Sequence, residues 1–355
     1  MQTWRYLLLP FSILYGAGVR FRNVLFTMGW FREQTFPVPV ITVGNLKSGG
    51  TGKSPMVDFI TGHLSADHKI AVLSRGYGRK SKGFLYATPD AGAVSVGDEA
   101  MQRVNRHPAW IVAVDENRRH GIQRILTDYP DIEAVILDDA FQHRYVKANC
   151  NVLLIEYAHF FRSNFLLPAG LEREPWSGRK RAHIIIVTKT PEDARKAEMK
   201  PILDRIRPTP NQHIFFASIR YEAIQPVWPD GHPSVSSVSG KNILLCTGIA
   251  NPEPLIKYLE QAGNLVTPMT YPDHHNFTDR DVKHMITTFQ QLPVDNRLFL
   301  TTEKDAARLR TPSFKALLEN ARPYYLPISV VINNNDKQRF YQIIESHVKR
   351  DPIRS

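Results

Sequence analysis

The sequence predicts an α/β fold, a mainly parallel sheet with helices on both faces followed by a smaller α/β unit. Three observations carry this. Short β-branched apolar runs alternate with stretches of helical length, polar or glycine-rich motifs follow those runs directly, and a turn-rich break interrupts the alternation once. The 355 residues, 43% hydrophobic and 22% charged, can bury a substantial core and suggest two domains.

The alternation opens with an apolar run at 38–43 and a helix-compatible stretch at 56–64. Strand-like runs follow at 70–73, 110–114, 134–137, 152–155 and 184–187, with a helical stretch at 116–126. The break at 226–240 is rich in Pro, Gly and Ser and reads as a linker or hairpin. A second alternation then begins: strands at 243–246, 265–269 and 298–301, and helices at 254–261, 279–291, 304–309 and 337–348. In open parallel sheets ligands bind beyond the carboxyl ends of the strands, so motifs that follow strands can converge on one crevice.

The strongest such motif is Val43-Gly-Asn-Leu-Lys-Ser-Gly-Gly-Thr-Gly-Lys-Ser54. Its glycines let backbone N–H groups turn toward one point, and a helix N-terminus adds partial positive charge there. Lys53 would reach the β- and γ-phosphates of a nucleoside triphosphate, and the Ser54 hydroxyl would ligate Mg²⁺. Lys47 stands where the usual phosphate loop has its first glycine, but the core from Gly49 through Gly50, Thr51 and Gly52 to Ser54 is intact. The chain is expected to bind ATP through Lys47, Ser48 and this core. The first unit is therefore expected to be P-loop NTPase-like.

The net charge of +11, from 45 basic and 34 acidic side chains, favours anionic partners. No zinc-ligand spacing, RNA-binding signature or lone basic recognition helix is visible, so nucleic acid is not expected among them. Cys150 and Cys246 each flank an apolar run and read as buried reduced thiols. At the N-terminus, residues 6–19 are apolar between Arg5 and Arg20; these fourteen residues fall short of the roughly 20 needed to span a bilayer. Trp4, Trp30, Arg20, Arg22 and Arg32 surround the run, as suits a helix lying in a membrane surface. A core-packing helix and a signal peptide are the alternatives.

Further candidates follow the strands. Residues 134–137 run into Asp138-Asp139, a carboxylate pair positioned to hold Mg²⁺. Asp98, in Gly97-Asp-Glu99, suits either a proton acceptor or a helix cap. His143 directly follows the acidic pair and can line the same crevice or serve packing. In Asp273-His274-His275 two adjacent imidazoles cannot face one point on a regular strand, which argues against a metal pair. Thr302-Glu303-Lys304-Asp305 resembles a helix cap. Cations cluster at Arg118-Arg119-His120 and from Arg173 to Arg181, either as solvated surface or as an anion site.

Taken in order, these motifs resemble the tetraacyldisaccharide 4'-kinase family. The resemblance rests on Leu9-Pro10 with Leu14-Tyr15, the loop 43–54, Leu73-Ser-Arg-Gly-Tyr-Gly78 and Gly97-Asp-Glu99. It continues through Asp138-Asp-Ala-Phe-Gln-His143, Leu167-Pro-Ala-Gly170 with Arg173-Glu-Pro175, Asp273-His-His275 with Phe277, and Thr301-Thr-Glu-Lys-Asp-Ala306. It implies transfer of the γ-phosphoryl of ATP to the 4'-hydroxyl of a tetraacylated disaccharide 1-phosphate at the cytosolic face of a bacterial inner membrane. By family motif, Asp98 would be the base tuned by His274, with Lys53 also catalytic. Ser54, Asp138, Asp139 and Glu174 would hold Mg²⁺, and Arg75, Arg118, His143 and Arg173 would meet the substrate. The implied division is a membrane-surface helical segment (1–35), a P-loop kinase core (36–225), a linker (226–241) and a smaller C-terminal α/β domain (242–355). No obligate protein partner is expected. The competing reading is a membrane-associated regulatory ATPase of the partitioning or targeting type, although Lys47 stands one position too early for that class and a second domain bearing Asp-His-His is foreign to it.

Overall fold

The computed structural model describes residues 3–349 except 163, 193, 195, 229–237, 274 and 334–335. Two sheets organise it. The larger has nine strands: β1 (Val40–Asn45), β2 (Ile70–Ser74), β3 (Leu85–Tyr86), β4 (Ile111–Val114), β5 (Ala134–Asp138), β6 (Cys150–Glu156), β7 (Ile184–Thr188), β8 (His213–Tyr221) and, from the far end of the chain, β14 (Ile328–Ile332). The smaller has β9 (Gln225–Pro226), β10 (Asn242–Thr247), β11 (Leu265–Thr270), β12 (Arg297–Thr302) and β13 (Tyr324–Leu326).

The large sheet runs β14-β8-β7-β6-β1-β5-β2-β4-β3 and is parallel except at its edges, where β3 and β14 pair antiparallel. β1 begins past Pro37 and Pro39, which lack the N–H a ladder requires. It lies between β5 and β6, with Val43 opposite both Asp138 and Val152. Every residue of β1, β2, β5 and β7 is buried, the signature of a sheet covered on both faces. Each fully buried Val, Leu or Ile there contributes roughly 1.5–3 kcal/mol of transfer free energy. Because later strands add on both sides of β1, the topological switch falls beside it, and its carboxyl end opens into a crevice. Cys150 and Cys246 are buried and form no disulfide among the described residues.

The small sheet, β11-β10-β12-β13-β9, is parallel apart from β9. Its boundaries differ from those expected. Gln225–Pro226 pairs with β13 and so belongs to the small sheet. At the other end β14 and the helix Lys337–Val348, expected in the second domain, return to the large sheet. Val330, Ile332, Phe340, Ile344 and Val348 join one buried cluster with Ile41, Met56 and Ile186 of the first unit. The short run 328–332 can pair with any exposed strand edge, and only the tertiary arrangement presents the edge of β8 to it. The two crossings between units lie side by side, with the Glu222 N–H donating to the Pro327 carbonyl at 2.9 Å.

Candidate active site

At the end of β1 the chain turns through the glycine-rich loop into the helix Lys53–Leu64. Gly52, the N-cap, has φ 84°, a left-handed conformation that glycine adopts without a Cβ penalty, and no side chain caps the helix. Neighbouring elements brace the loop. Asn45 Nδ2 donates to Thr51 Oγ1 at 2.7 Å, and Thr188 Oγ1 donates to the Thr51 carbonyl at 2.8 Å. The Ser48 N–H meets the Leu171 carbonyl at 2.7 Å, and the Arg173 N–H meets that of Leu46 at 2.6 Å. A Cβ placed on Gly49, Gly50 or Gly52 would meet nothing within 4 Å, so open space lies beside the loop backbone. Lys53 Nζ stands 3.8 Å from Asp139 Oδ1. Lys47 is directed elsewhere, to Glu156 at 3.4 Å, which also takes Lys189 at 2.8 Å.

Asp138 ends β5 beside β1. Its Oδ2 accepts from Arg103 Nη2 at 3.0 Å, and the buried Arg103 also donates to Asp58 at 2.6 Å. Among the described residues Asp138 Oδ1, which is buried, has no hydrogen-bond partner. Such an acceptor carries an uncompensated desolvation cost, so this atom fits a cation, as the open loop fits phosphate. Among the described residues no three His, Cys, Asp or Glu side chains form a metal cluster. Mg²⁺ does not need one, because it binds through one or two carboxylates together with substrate phosphate oxygens. Asp139 sits at φ 48°, and both its oxygens accept from Arg173 Nη1, at 2.9 and 3.0 Å.

Glu174 does not fit the metal role expected of it. It is buried, with Oε1 accepting from Arg181 Nη2 at 3.0 Å and Oε2 from Asn23 Nδ2 at 3.2 Å, so it anchors the N-terminal helix. Two residues outside the sequence-derived set stand beside Asp138 instead. Arg103 neutralises it, and Glu99 lies close enough that burial first and the Asp138 charge second push its pKa up, opposed by Arg103 and Lys53. Glu99 was legible as the neighbour of Asp98; no local signal marks Arg103, because only the fold brings residues 58, 103 and 138 together.

Asp98 opens the helix Asp98–Arg106. The N-cap of that helix is Gly97, and Asp98 Oδ2 accepts from Arg308 Nε at 2.9 Å and Nη2 at 2.5 Å, across from the small unit. Thr302 is the cap of the next unit's helix Glu303–Leu309, accepting from the Asp305 N–H at 3.2 Å. His274 lies outside the described residues. His275 is occupied structurally: its Nε2 lies 3.0 Å from Asp281 Oδ2, within a capping box, and its ring stacks on Tyr271 at 4.9 Å. Asp273 accepts from Lys304 Nζ at 3.0 Å.

Of the expected substrate residues, Arg75, Arg118 and His143 share one electrostatic environment, and Arg173 is bound to Asp139. Arg118 is buried, and its Nε and Nη2 have no partner among the described residues. Burial pulls its pKa down to about 10, partly offset by Asp138, so it remains a cation at neutral pH. His143 is driven down to about 4 by burial, then by Arg118 and Arg75. It is therefore a neutral imidazole at neutral pH and not a further cation.

The helix Leu9–Thr27 packs beside this crevice. Ser12 Oγ donates to the Leu166 carbonyl at 2.9 Å, Tyr15 Oη to that of Arg173 at 2.9 Å, and Arg22 Nη2 to that of Gln142 at 3.0 Å. Its other face, with Leu7 of the preceding turn and Met28 at its C-cap, leaves Leu7, Phe11, Ile13, Leu14, Phe21 and Met28 between 59% and 77% exposed. No helix among the described residues is long and apolar enough to cross a membrane.

Comparison with known proteins bears directly on this geometry. Residues 4–349 match the family model described as Tetraacyldisaccharide-1-P 4'-kinase. The Tetraacyldisaccharide 4'-kinase of Bacteroides thetaiotaomicron is 41% identical over 363 residues, covering 99% of this chain and 94% of the relative. That of Bacteroides fragilis is 43% identical over 359 residues, with 99% and 94% covered. Among solved structures, LpxK from Aquifex aeolicus in complex with ATP superposes with a TM-score of 0.76 at 27% identity, covering 98% of this chain and 100% of that one.

Proposed function

The chain belongs to the tetraacyldisaccharide-1-P 4'-kinase family, and from that premise we propose a role for each residue of the crevice. The protein is an ATP-dependent kinase of lipid A biosynthesis, transferring the γ-phosphoryl group to the 4'-hydroxyl of a tetraacyldisaccharide 1-phosphate. The full-length family match leaves no support for the regulatory ATPase reading.

The observation that carries the site assignment is the meeting, at the end of β1 and β5, of an open glycine loop, Lys53 and a buried unpartnered oxygen of Asp138. The loop amides from Gly49 to Ser54, with Lys53, hold the triphosphate. Ser54 and Asp138 hold Mg²⁺, with Asp139 nearby in the grip of Arg173. When bound, Mg·ATP supplies the phosphoryl group and neutralises charge on the leaving diphosphate. Asp98 accepts the 4'-hydroxyl proton as that oxygen bonds to phosphorus and the bridge to the departing ADP breaks. His274 is proposed to tune Asp98 on the family motif alone. Arg118 and Arg75 receive an anionic group of the lipid, beside a neutral His143 able to donate or accept a hydrogen bond.

The lipid nature of the substrate gives the exposed apolar face of the helix Leu9–Thr27 its purpose. That face rests on the membrane surface, which we place at the cytosolic side of the inner membrane because ATP is available there, and it brings the crevice to an acceptor whose acyl chains stay in the bilayer.

Purified protein, γ-labelled ATP and the disaccharide 1-phosphate in mixed micelles should yield a labelled bisphosphorylated lipid. Asp98→Ala should lower turnover by roughly 10²–10⁴-fold with ATP binding retained, and Lys53→Ala should abolish transfer. Unchanged turnover in Asp98→Ala removes it as the base, and near-normal rates in Lys53→Ala remove the loop from the site.

A further inference from the structure

Arg308 of the small unit reaches the proposed base. The helices Asp98–Arg106 and Glu303–Leu309 pack against each other and carry an ion pair at each end. Arg308 donates to Asp98, and Arg106 Nη1 stands 3.6 Å from Glu303 Oε2. The two pairs are not equivalent. Arg106 is partly exposed and divides its donors between Glu303 and the Ile328 carbonyl, at 3.2 Å. The Arg308 side chain is 4% exposed and is itself fixed from behind. Its Nη1 donates to Asp305 Oδ1 at 3.0 Å, and the fully buried Asp305 is held by the Gly248 N–H at 2.9 Å and by Thr302 Oγ1 at 2.6 Å, both on Oδ2. A chain of charge-assisted bonds thus runs from the carboxyl ends of β10 and β12 to the Asp98 carboxylate.

We propose that Arg308 is a positioning residue for phosphoryl transfer: anchored by Asp305, it orients the Asp98 carboxylate toward the acceptor hydroxyl. The inference rests on the reading of Asp98 as the base. Nε and Nη2 both donate to Oδ2, and this two-donor, charge-assisted hold fixes the position of that oxygen. Asp98 follows Gly97, whose φ is 89°, and opens the helix, where its side chain projects from the first turn. The guanidinium adds a constraint from the small unit. Placement of the base then depends on the small unit being seated, which couples chemistry to the arrangement of the two sheets.

The test compares kcat and KM for ATP and lipid in Arg308→Gln, Arg308→Lys and Arg106→Gln, with Asp98→Asn as the reference. Arg308→Gln should lower kcat by about 10- to 100-fold while KM for ATP changes less than about threefold, because misorientation of a reacting group acts on the transition state. Arg308→Lys keeps the charge but not the fork and should recover part of that loss. Arg106→Gln breaks the companion pair of the same helices without touching Asp98 and should keep kcat within about twofold. Equal losses in Arg106→Gln and Arg308→Gln would mean that the interface alone matters, and would overturn the proposal. So would wild-type kcat in Arg308→Gln or, if that variant does not fold, in Arg308→Lys. Full activity in Asp98→Asn would instead remove the base itself, whereas loss there with wild-type kcat in the Arg308 variants defeats this inference alone.

Discussion

Buried charge in this protein is distributed residue by residue according to available partners. Arg103 is fully buried between Asp58 and Asp138, and its pKa is raised because two carboxylates outweigh its desolvation. Among the described residues Arg118 has only the Asp115 carbonyl at 2.5 Å as a hydrogen-bond acceptor, so desolvation wins and its pKa falls. His143, beside Arg118 and Arg75, carries the consequence furthest. Its folded pKa of about 4 lies below the ordinary value of 6.5, so between those pH values the unfolded chain binds a proton that the folded chain does not. Stability therefore rises with pH across that window and is lost as pH falls from about 6.5 to about 4. The melting temperature of the wild type should drop over this range more steeply than that of His143→Gln, and parallel curves would contradict the assignment. The side chains named in motifs were legible because their chemistry is local: a lysine after glycines, a carboxylate after a buried run. The partners of those side chains were not, since Arg103 and Arg308 lie 35 and 210 positions from the carboxylates they hold.

Among the elements, the helix Leu9–Thr27 shows how little its sequence alone discriminated. Surface helix, core helix and signal all fitted an apolar run of that length. Its contacts divide the possibilities between two faces: Ser12, Gly16 and Phe26 are buried against the body, while Leu7, Leu14, Phe21 and Met28, seven residues apart, lie on the outside. Replacing Leu7, Leu14 and Phe21 together by Ser removes apolar area that binds no other part of the protein. We expect vesicle co-sedimentation to fall at least tenfold, since each buried side chain of this kind is worth roughly 1.5–3 kcal/mol. Turnover of detergent-dispersed substrate should be retained, and unchanged sedimentation would exclude this face as the membrane contact. The strands that carry the site motifs were legible from their β-branched runs, whereas β8 and β14 were not named from the sequence. Strand ends were less certain, as with β1, because hydrogen bonding to β5 and β6 sets them and not the residues alone.

The whole molecule differs most from its linear reading. The chain crosses from the large unit to the small one near Glu222 and returns near Pro327, so the first unit is completed only by residues 328–348. Val330, Ile332, Phe340, Ile344 and Val348 bury together about 7–15 kcal/mol of transfer free energy, comparable to the net stability of a domain. A chain truncated after Leu326 should therefore lose the cooperative unfolding transition of the large unit and not merely a tail. Retention of that transition would show the C-terminal helix to be dispensable.

By itself the sequence determined the α/β class, the phosphate loop, the acidic strand end and the family, because each is written in a contiguous run whose chemistry does not depend on distant residues. Only the tertiary structure decided that Glu174 anchors a helix, that His143 stays neutral, that the C-terminus completes the first sheet and that Arg308 holds Asp98. Each of these is a competition between desolvation and a partner far away in the chain, and the partner's proximity exists only once the sheets have formed.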